Sequence, residues 1–216
     1  ITSKGYYTFV VTYEGNDYYL ESNTDADEET KLNLTNVEVV GRLADITANA
    51  TNTTLGNTSI RVNLTDDESK NPLADADIII TLPNGSNVTG KTGSDGLVDI
   101  PVDLPVGVND LIITYPGNDT YNSTNTTIRV FVEQRPSRTT AQVINNTIGN
   151  VTLNVTVTDN ETGVPVKTGA VLVKVDDEIV GLGYLKNGNA TIITDIQEIR
   201  EYDFVVEFIG NKNYTE

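Results

Sequence analysis

Two stretches of this 216-residue chain match each other at a spacing of 93 residues. Asn52-Thr-Thr-Leu-Gly-Asn57 returns as Asn145-Asn-Thr-Ile-Gly-Asn150. At the same spacing Asp66 maps to Asp159, Pro72 to Pro165 and Gly117 to Gly210. A fixed period of this kind means that the chain builds one supersecondary unit more than once. Length agrees, since roughly 100–200 residues per domain allows one large or two small domains here.

A shorter signature occurs three times. It reads Tyr13-Glu-Gly-Asn-Asp-Tyr18, Tyr115-Pro-Gly-Asn-Asp-Thr-Tyr121 and Phe208-Ile-Gly-Asn-Lys-Asn-Tyr214. Gly15, Gly117 and Gly210 suit a turn that needs positive φ, and Asn16, Asn118 and Asn211 can bond their own backbone. Each copy closes an alternating apolar run: Phe9, Val11, Tyr13; Leu111, Ile113, Tyr115; Phe204, Val206, Phe208. Period two marks a half-buried strand. Ile60, Val62 and Leu64 alternate likewise and return as Leu153, Val155 and Val157. Ile78, Ile80 and Leu82 return as Val171, Val173 and Val175. Turn pairs such as Asn84-Gly85, Asp95-Gly96 and Asn187-Gly188 separate the runs, and no amphipathic helix is evident. The expectation is all-β: tandem Ig-like antiparallel β-sandwiches of about seven strands each, in an elongated array.

The register places copies at 1–41, 42–134 and 135–216. The first holds only terminal strands, the Phe9 strand and one near Lys31–Val40, with an acidic loop at 25–29 between them. The last lacks a counterpart of the strand in Thr126–Val132. Glu133-Gln-Arg-Pro-Ser137 reads as a short polar linker. The chain opens at Ile1, which fits a mature product or an excised segment.

Composition removes much chemistry. There is no His, Cys, Met or Trp. A Ser-His-Asp triad, a thiol nucleophile, a disulfide and a thiolate zinc site are therefore unavailable. The net charge of −17 disfavours nucleic acid, whose phosphates require Lys and Arg. No apolar run is long enough for membrane insertion, and no secretory signal is evident. The absence of Cys leaves the compartment open.

The strongest chemical signal is Asn-x-Ser/Thr, the N-glycan acceptor. It occurs sixteen times: Asn33, Asn49, Asn52, Asn57, Asn63, Asn84, Asn87, Asn118, Asn122, Asn125, Asn145, Asn150, Asn154, Asn160, Asn189 and Asn213. Random order of this composition gives about four such acceptors. Asn63 and Asn154 fall on outward strand positions. Asn118 has a competing role in its turn, since its counterparts Asn16 and Asn211 lack the hydroxyl. Heavy N-glycosylation implies an extracellular protein of an archaeon or eukaryote.

Other clusters have plainer readings. Asp66, Asp67 and Glu68 are weak Ca²⁺ candidates, because Ca²⁺ takes about 6–8 oxygens, yet a solvated acidic loop fits as well. The cofactor expectation is none beyond N-linked glycans, with Ca²⁺ as an open alternative and no other metal. Lys31, Lys91, Lys167 and Lys174 suggest intramolecular isopeptide bonds only faintly, since none recurs at the repeat spacing. Tyr18, Tyr121 and Tyr214 read as packing tyrosines, with sugar stacking as the alternative.

The Asn/Thr-rich acidic repeats, with their Tyr-x-Gly-Asn-x-x-Tyr ending and Asp-Gly turns, resemble the Ig-like repeats of adhesin-like surface proteins of methanogenic archaea. The resemblance covers 42–216 and, as a partial repeat, 1–41. It implies a cell-surface stalk or adhesin segment acting as a rigid spacer, and not an enzyme. Its partners would be neighbouring repeats or identical subunits, with another cell surface as a further alternative. The missing last strand supports a second reading, a subunit of an extracellular filament assembled by β-strand donation.

Overall fold

A computed structural model describes residues 1–9, 11–20, 22–23 and 37–216. Among them every regular element is a strand, and the strand pairs are antiparallel. The protein is all-β. Asn33, Lys31 and the acidic loop at 25–29 lie outside the described residues.

In chain order the strands are β1 (Gly5–Tyr7), β2 (Thr12–Tyr13), β3 (Ser22–Asn23), β4 (Val37–Val39), β5 (Ala44–Asn52), β6 (Ser59–Asp66), β7 (Asp77–Thr81), β8 (Asn87–Lys91) and β9 (Leu97–Pro101). They continue as β10 (Gly107–Tyr115), β11 (Thr124–Val132), β12 (Ser137–Thr147), β13 (Asn150–Asp159), β14 (Ala170–Val175), β15 (Glu178–Tyr184), β16 (Asn189–Thr194) and β17 (Val205–Phe208). The larger sheets are ordered β5-β6-β9 and β11-β10-β7-β8, then β12-β13-β16 and β15-β14-β17. The second pair of sheets repeats the first without a counterpart of β11. β1 pairs with β4, and β2 with β3.

The chain divides into two compact units. One comprises Ile1–Asn49, Arg61–Ile100 and Leu111–Ile128; the other comprises Ala50–Ile60, Pro101–Asp110 and Arg129–Glu216. In the first, the inward residues Val62, Leu64, Ile78, Ile80, Leu111 and Ile113 are fully buried. Phe9, Val11 and Tyr13 carry the same alternation but stay partly exposed. In the second unit, Leu153, Val155 and Val157 of β13 and Ile192 of β16 pack with Val171 and Val173 of β14 and Phe208 of β17. Two inner faces thus close one sandwich core.

The sheets approach closely at equivalent glycines. A Cβ added to Gly90 of β8 would come within 2.8 Å of Ile100 Cδ1 on β9. At Gly183 of β15, one repeat later, it would come within 2.5 Å of Ile192 Cγ1 on β16. A side chain at either position would wedge the two layers apart. The hairpin joining β14 to β15 turns on Asp176 and Asp177, both at positive φ. That is the two-residue turn whose twist matches antiparallel strands.

Candidate functional site

The three Gly-Asn turns share one geometry. Gly15, Gly117 and Gly210 have φ of 78°, 82° and 76°. The Asn118 side-chain oxygen accepts from the Thr120 and Tyr121 N–H groups, and Asn211 accepts from Asn213 and Tyr214. Asn16 does the same with Tyr18 and Tyr19. The Asn16 N–H also donates to the Tyr19 carbonyl, as Asn118 does to Tyr121 and Asn211 to Tyr214. The residue equivalent to Tyr121 and Tyr214 is therefore Tyr19, and the expected place of Tyr18 moves by one. Counting to the first Tyr after the turn misleads, because the turn is closed three residues after its Asn.

Tyr121 and Tyr214 lead to a cluster that composition alone does not reveal. The Tyr121 hydroxyl donates to Asp66 Oδ2 at 2.8 Å. Arg42 grips the same carboxylate with its fork, Nε 2.8 Å from Oδ2 and Nη2 3.0 Å from Oδ1. Asp66 Oδ1 also accepts from the Glu68 and Ser69 N–H groups and the Ser69 hydroxyl. These bonds hold Asp66 well below the usual carboxylate range, with the Ser69 N–H first and the Tyr121 hydroxyl next, against the opposing pull of burial. Burial and the carboxylate together push the Tyr121 phenol up.

The cluster recurs one repeat later. Arg135 Nε lies 2.7 Å from Asp159 Oδ2, with Nη2 3.1 Å from Oδ1. Asp159 Oδ1 accepts from the Glu161 and Thr162 N–H groups. Burial opposes the charge on Asp159, but the Thr162 and Glu161 donors and Arg135 outweigh it and hold the acid low. Burial, then the charge of Asp159 and a hydrogen bond to it, push the Tyr214 phenol up. Arg135 also reaches Glu161 at 2.6 Å, where Arg42 stands 3.8 Å from Glu68. Both repeats therefore carry the same Arg–Asp–Tyr clasp.

Backbone bonds complete each clasp. Arg42 bridges Tyr121 in parallel, its N–H donating to the Thr120 carbonyl and its carbonyl accepting from Asn122. Arg135 bridges Tyr214 likewise, with Asn213 and Thr215 as partners. Each arginine therefore ties the start of a sequence repeat to its end. Arg135 does more. Its Nη1 donates to the Leu55 carbonyl at 3.4 Å, and Thr54 bridges Glu133 in parallel. The linker at 133–135 is held by a turn that precedes it in sequence and by the clasp that follows it. Arg135 is 8% exposed, whereas the Arg42 side chain is 49% exposed.

Two of the three weak calcium candidates pair within the protein, and the Glu68 side chain stays exposed. Asp66 gives both oxygens to protein donors, and Asp67 pairs with Lys70 at 3.1 Å. Among the described residues no group of three acidic side chains is arranged to hold a metal ion. Of the lysines, Lys91 pairs with Asp77 and Lys174 with Glu207.

None of the fifteen described acceptor asparagines is buried, while Asn109, which is no acceptor, is 2% exposed. Asn49, Asn52, Asn57, Asn84, Asn87, Asn118, Asn125, Asn150, Asn160, Asn189 and Asn213 are exposed. Asn63, Asn122, Asn145 and Asn154 are half-buried. At two of them the hydroxyl of the acceptor motif reaches back: Ser86 Oγ donates to Asn84 at 2.7 Å in a turn, and Thr147 Oγ1 to Asn145 at 2.8 Å at the end of β12. Asn122 instead donates its amide to the Gly41 carbonyl at 3.1 Å.

No family model matches the chain, and no curated protein does. Among solved structures the chain is similar to the adhesin InvE of Yersinia pseudotuberculosis, at 17% identity and a TM-score of 0.41. The match covers 77% of this chain and 59% of the adhesin chain, so this chain spans about three fifths of the length of that one.

Proposed function

We propose that the chain is a structural segment of an N-glycosylated cell-surface adhesin or stalk, with copies at 1–41, 42–134 and 135–216 serving as spacers. The Arg135 junction carries the reading. A buried arginine bonded to the turn of one copy and the carboxylate of the next resists bending at the linker, which is what a spacer needs. The accessible acceptors support a glycan coat, and the net charge of −17 supports hydration and mutual repulsion. These features favour an extracellular location and a role without catalysis.

The chain has no cysteine, so labels can be placed cleanly. Spin labels on Asp103→Cys and Glu201→Cys should give a narrow distance distribution that broadens on Arg135→Ala. A broad distribution in the parent protein would refute the spacer. Intact mass of native material before and after deglycosylation tests the coat, and an unmodified native mass would rule it out.

The second reading, a filament subunit joined by β-strand donation, has a direct test at β17. β10 lies between β7 and β11, whereas β17 lies at the edge of its sheet beside β14. An exposed edge accepts a strand from another subunit. A peptide of residues 124–132 should then protect β17 amides from exchange. No protection would end the strand-donation reading.

A further inference from the structure

β8 and β15 are the same strand one repeat apart, and each is the edge of its sheet. Asn87, Thr89 and Lys91 of β8 stand opposite Thr81, Ile79 and Asp77. Ile179, Leu182 and Tyr184 of β15 stand opposite Lys174, Leu172 and Ala170, which lie 93 residues after those three. The outward positions have therefore changed from polar to apolar. Lys91 is a charged residue of the kind that keeps an edge strand from pairing, and Asn87 is an N-glycan acceptor. β15 has neither. Its Ile179, Leu182 and Tyr184 are 61%, 52% and 69% exposed, and no acceptor asparagine lies in β14, β15 or β17.

The backbone of β15 has a free side. The Leu185 N–H donates to the Gly169 carbonyl. Backbone groups alternate sides along an antiparallel strand, so those of Gly183 and Leu185 face β14 and those of Leu182 and Tyr184 face outward. The register slips between Val173 and Lys174, which makes Val180 the extra residue and brings Ile179 onto the face of Leu182 and Tyr184. Among the described residues β15 pairs with β14 alone. The chain continues in both directions from the first sandwich, and β8 is an edge there all the same. An adjoining repeat therefore leaves this strand uncovered.

We infer that β15 pairs antiparallel with β15 of a second copy of this chain, about a two-fold axis at Leu182. Leu182 then faces the partner's Leu182, Tyr184 faces the partner's Ile179, and Lys186 faces the partner's Asp177. Apolar side chains meet apolar ones, and the lysine after the strand meets the acid before it, the pairing that opposed strands favour. Within one chain neither Lys186 nor Asp177 has an ion-pair partner among the described residues. The two Leu182 residues exchange backbone hydrogen bonds, and two three-stranded sheets become one of six strands. The wider repulsion between chains of net charge −17 is screened beyond about 8 Å at physiological salt. The contact is isologous, so it closes at two molecules. It is short, so the pair is weak and reversible. The inference is independent of the spacer reading, and its test leaves Arg135 untouched.

The test is sedimentation equilibrium of the full chain. The parent should exchange between monomer and dimer with a Kd between about 10 μM and 1 mM. Leu182→Lys and Leu182→Glu each set like charges across the axis, so each should be monomeric over that range. Mixed in equal amounts they should pair one to one, because lysine then faces glutamate. Leu182 is exposed, so both variants should fold, which circular dichroism checks. Cross-linking reads the register. A bonded antiparallel pair holds its Cα atoms about 5.5 Å apart, within reach of a disulfide. Leu182→Cys should therefore oxidise to a covalent dimer, and Ile193→Cys, 64% exposed on β16, should not. A monomeric parent, growth beyond two molecules, a Leu182→Lys variant that still dimerises or a mixture that fails to pair would each overturn the interface. The spacer reading is judged separately by the label distances across Arg135.

Discussion

Arg135 stands 2.7 Å from Asp159 Oδ2 through Nε in an ion pair and hydrogen-bonds Oδ1 at 3.1 Å through Nη2, with its side chain 9% and the carboxylate 2% exposed. An ion pair in a dry place leaves a charge stranded when one partner is removed. Arg135→Ala should therefore cost about 3 kcal/mol, the low end for a broken buried pair, because Asp159 keeps its N–H donors. Arg42→Ala should cost less, since that side chain is half exposed. Denaturant titration of both variants checks the order, and an equal or larger loss for Arg42→Ala would contradict it.

Asp66 and Asp159 have folded-state acidities depressed below the unfolded value. Between the two values the unfolded chain binds more protons, so stability rises with pH across that window. Their contribution is complete above the ordinary aspartate range, about pH 4, and is lost as pH falls through the folded values. Meanwhile, protonation elsewhere relieves the repulsion of a strongly acidic surface. The clasp is therefore isolated by comparison. Relative to the parent, Asp66→Asn and Asp159→Asn should lose markedly more stability at pH 7 than at about pH 2 in thermal melts. A difference independent of pH would sink this account.

These clasps show where the sequence is legible and where it is not. Period-two runs locate β6, β7, β10, β13 and β14, because a buried face makes one residue in two apolar. The Gly-Asn signature locates the turns, because positive φ restricts residue choice. The clasp is harder, since Arg, Asp and Tyr are ordinary surface residues when read singly. Neither Arg42 nor Arg135 stands out in the sequence, although they lie one repeat apart, as do Asp66 and Asp159, and Tyr121 and Tyr214. The shared offset of three polar pairs is the signal that would find them. Spacing also misplaces Tyr18, because only the hydrogen bonds of Asn16 show which residue closes its turn.

Tyr115 is 2% exposed, and its hydroxyl has no hydrogen-bond partner among the described residues. Burial, then the charge of Asp77, push its phenol up. A buried hydroxyl without a partner costs about 1–3 kcal/mol of desolvation. Tyr115→Phe removes that cost and keeps the ring, so it should be neutral or stabilising by about 1 kcal/mol. Tyr121→Phe, which deletes a bonded hydroxyl, should destabilise. Thermal midpoints of the two variants should move in opposite directions or, at least, only Tyr121→Phe should fall.

Glycan occupancy should follow local geometry. Transfer needs the asparagine amide nitrogen, and Asn122 commits its own to the Gly41 carbonyl. Asn154 faces Gln142 and Thr191 on the two flanking strands, and Asn63 lies on the central strand of its sheet. Asn57, Asn84, Asn160 and Asn213 are exposed in turns or loops, and Ser86 bonds the Asn84 oxygen, not its nitrogen. Peptide mapping of native material should therefore find Asn57, Asn84, Asn160 and Asn213 well occupied, and Asn63, Asn122 and Asn154 sparsely so. Gly41 makes the point separable, since an added Cβ there would collide with the Asn122 side chain. Gly41→Ala should displace that amide and raise occupancy at Asn122 alone. Uniform occupancy across strands and turns would mean that the sugar is added before the strands pair, and the geometric ordering would be wrong.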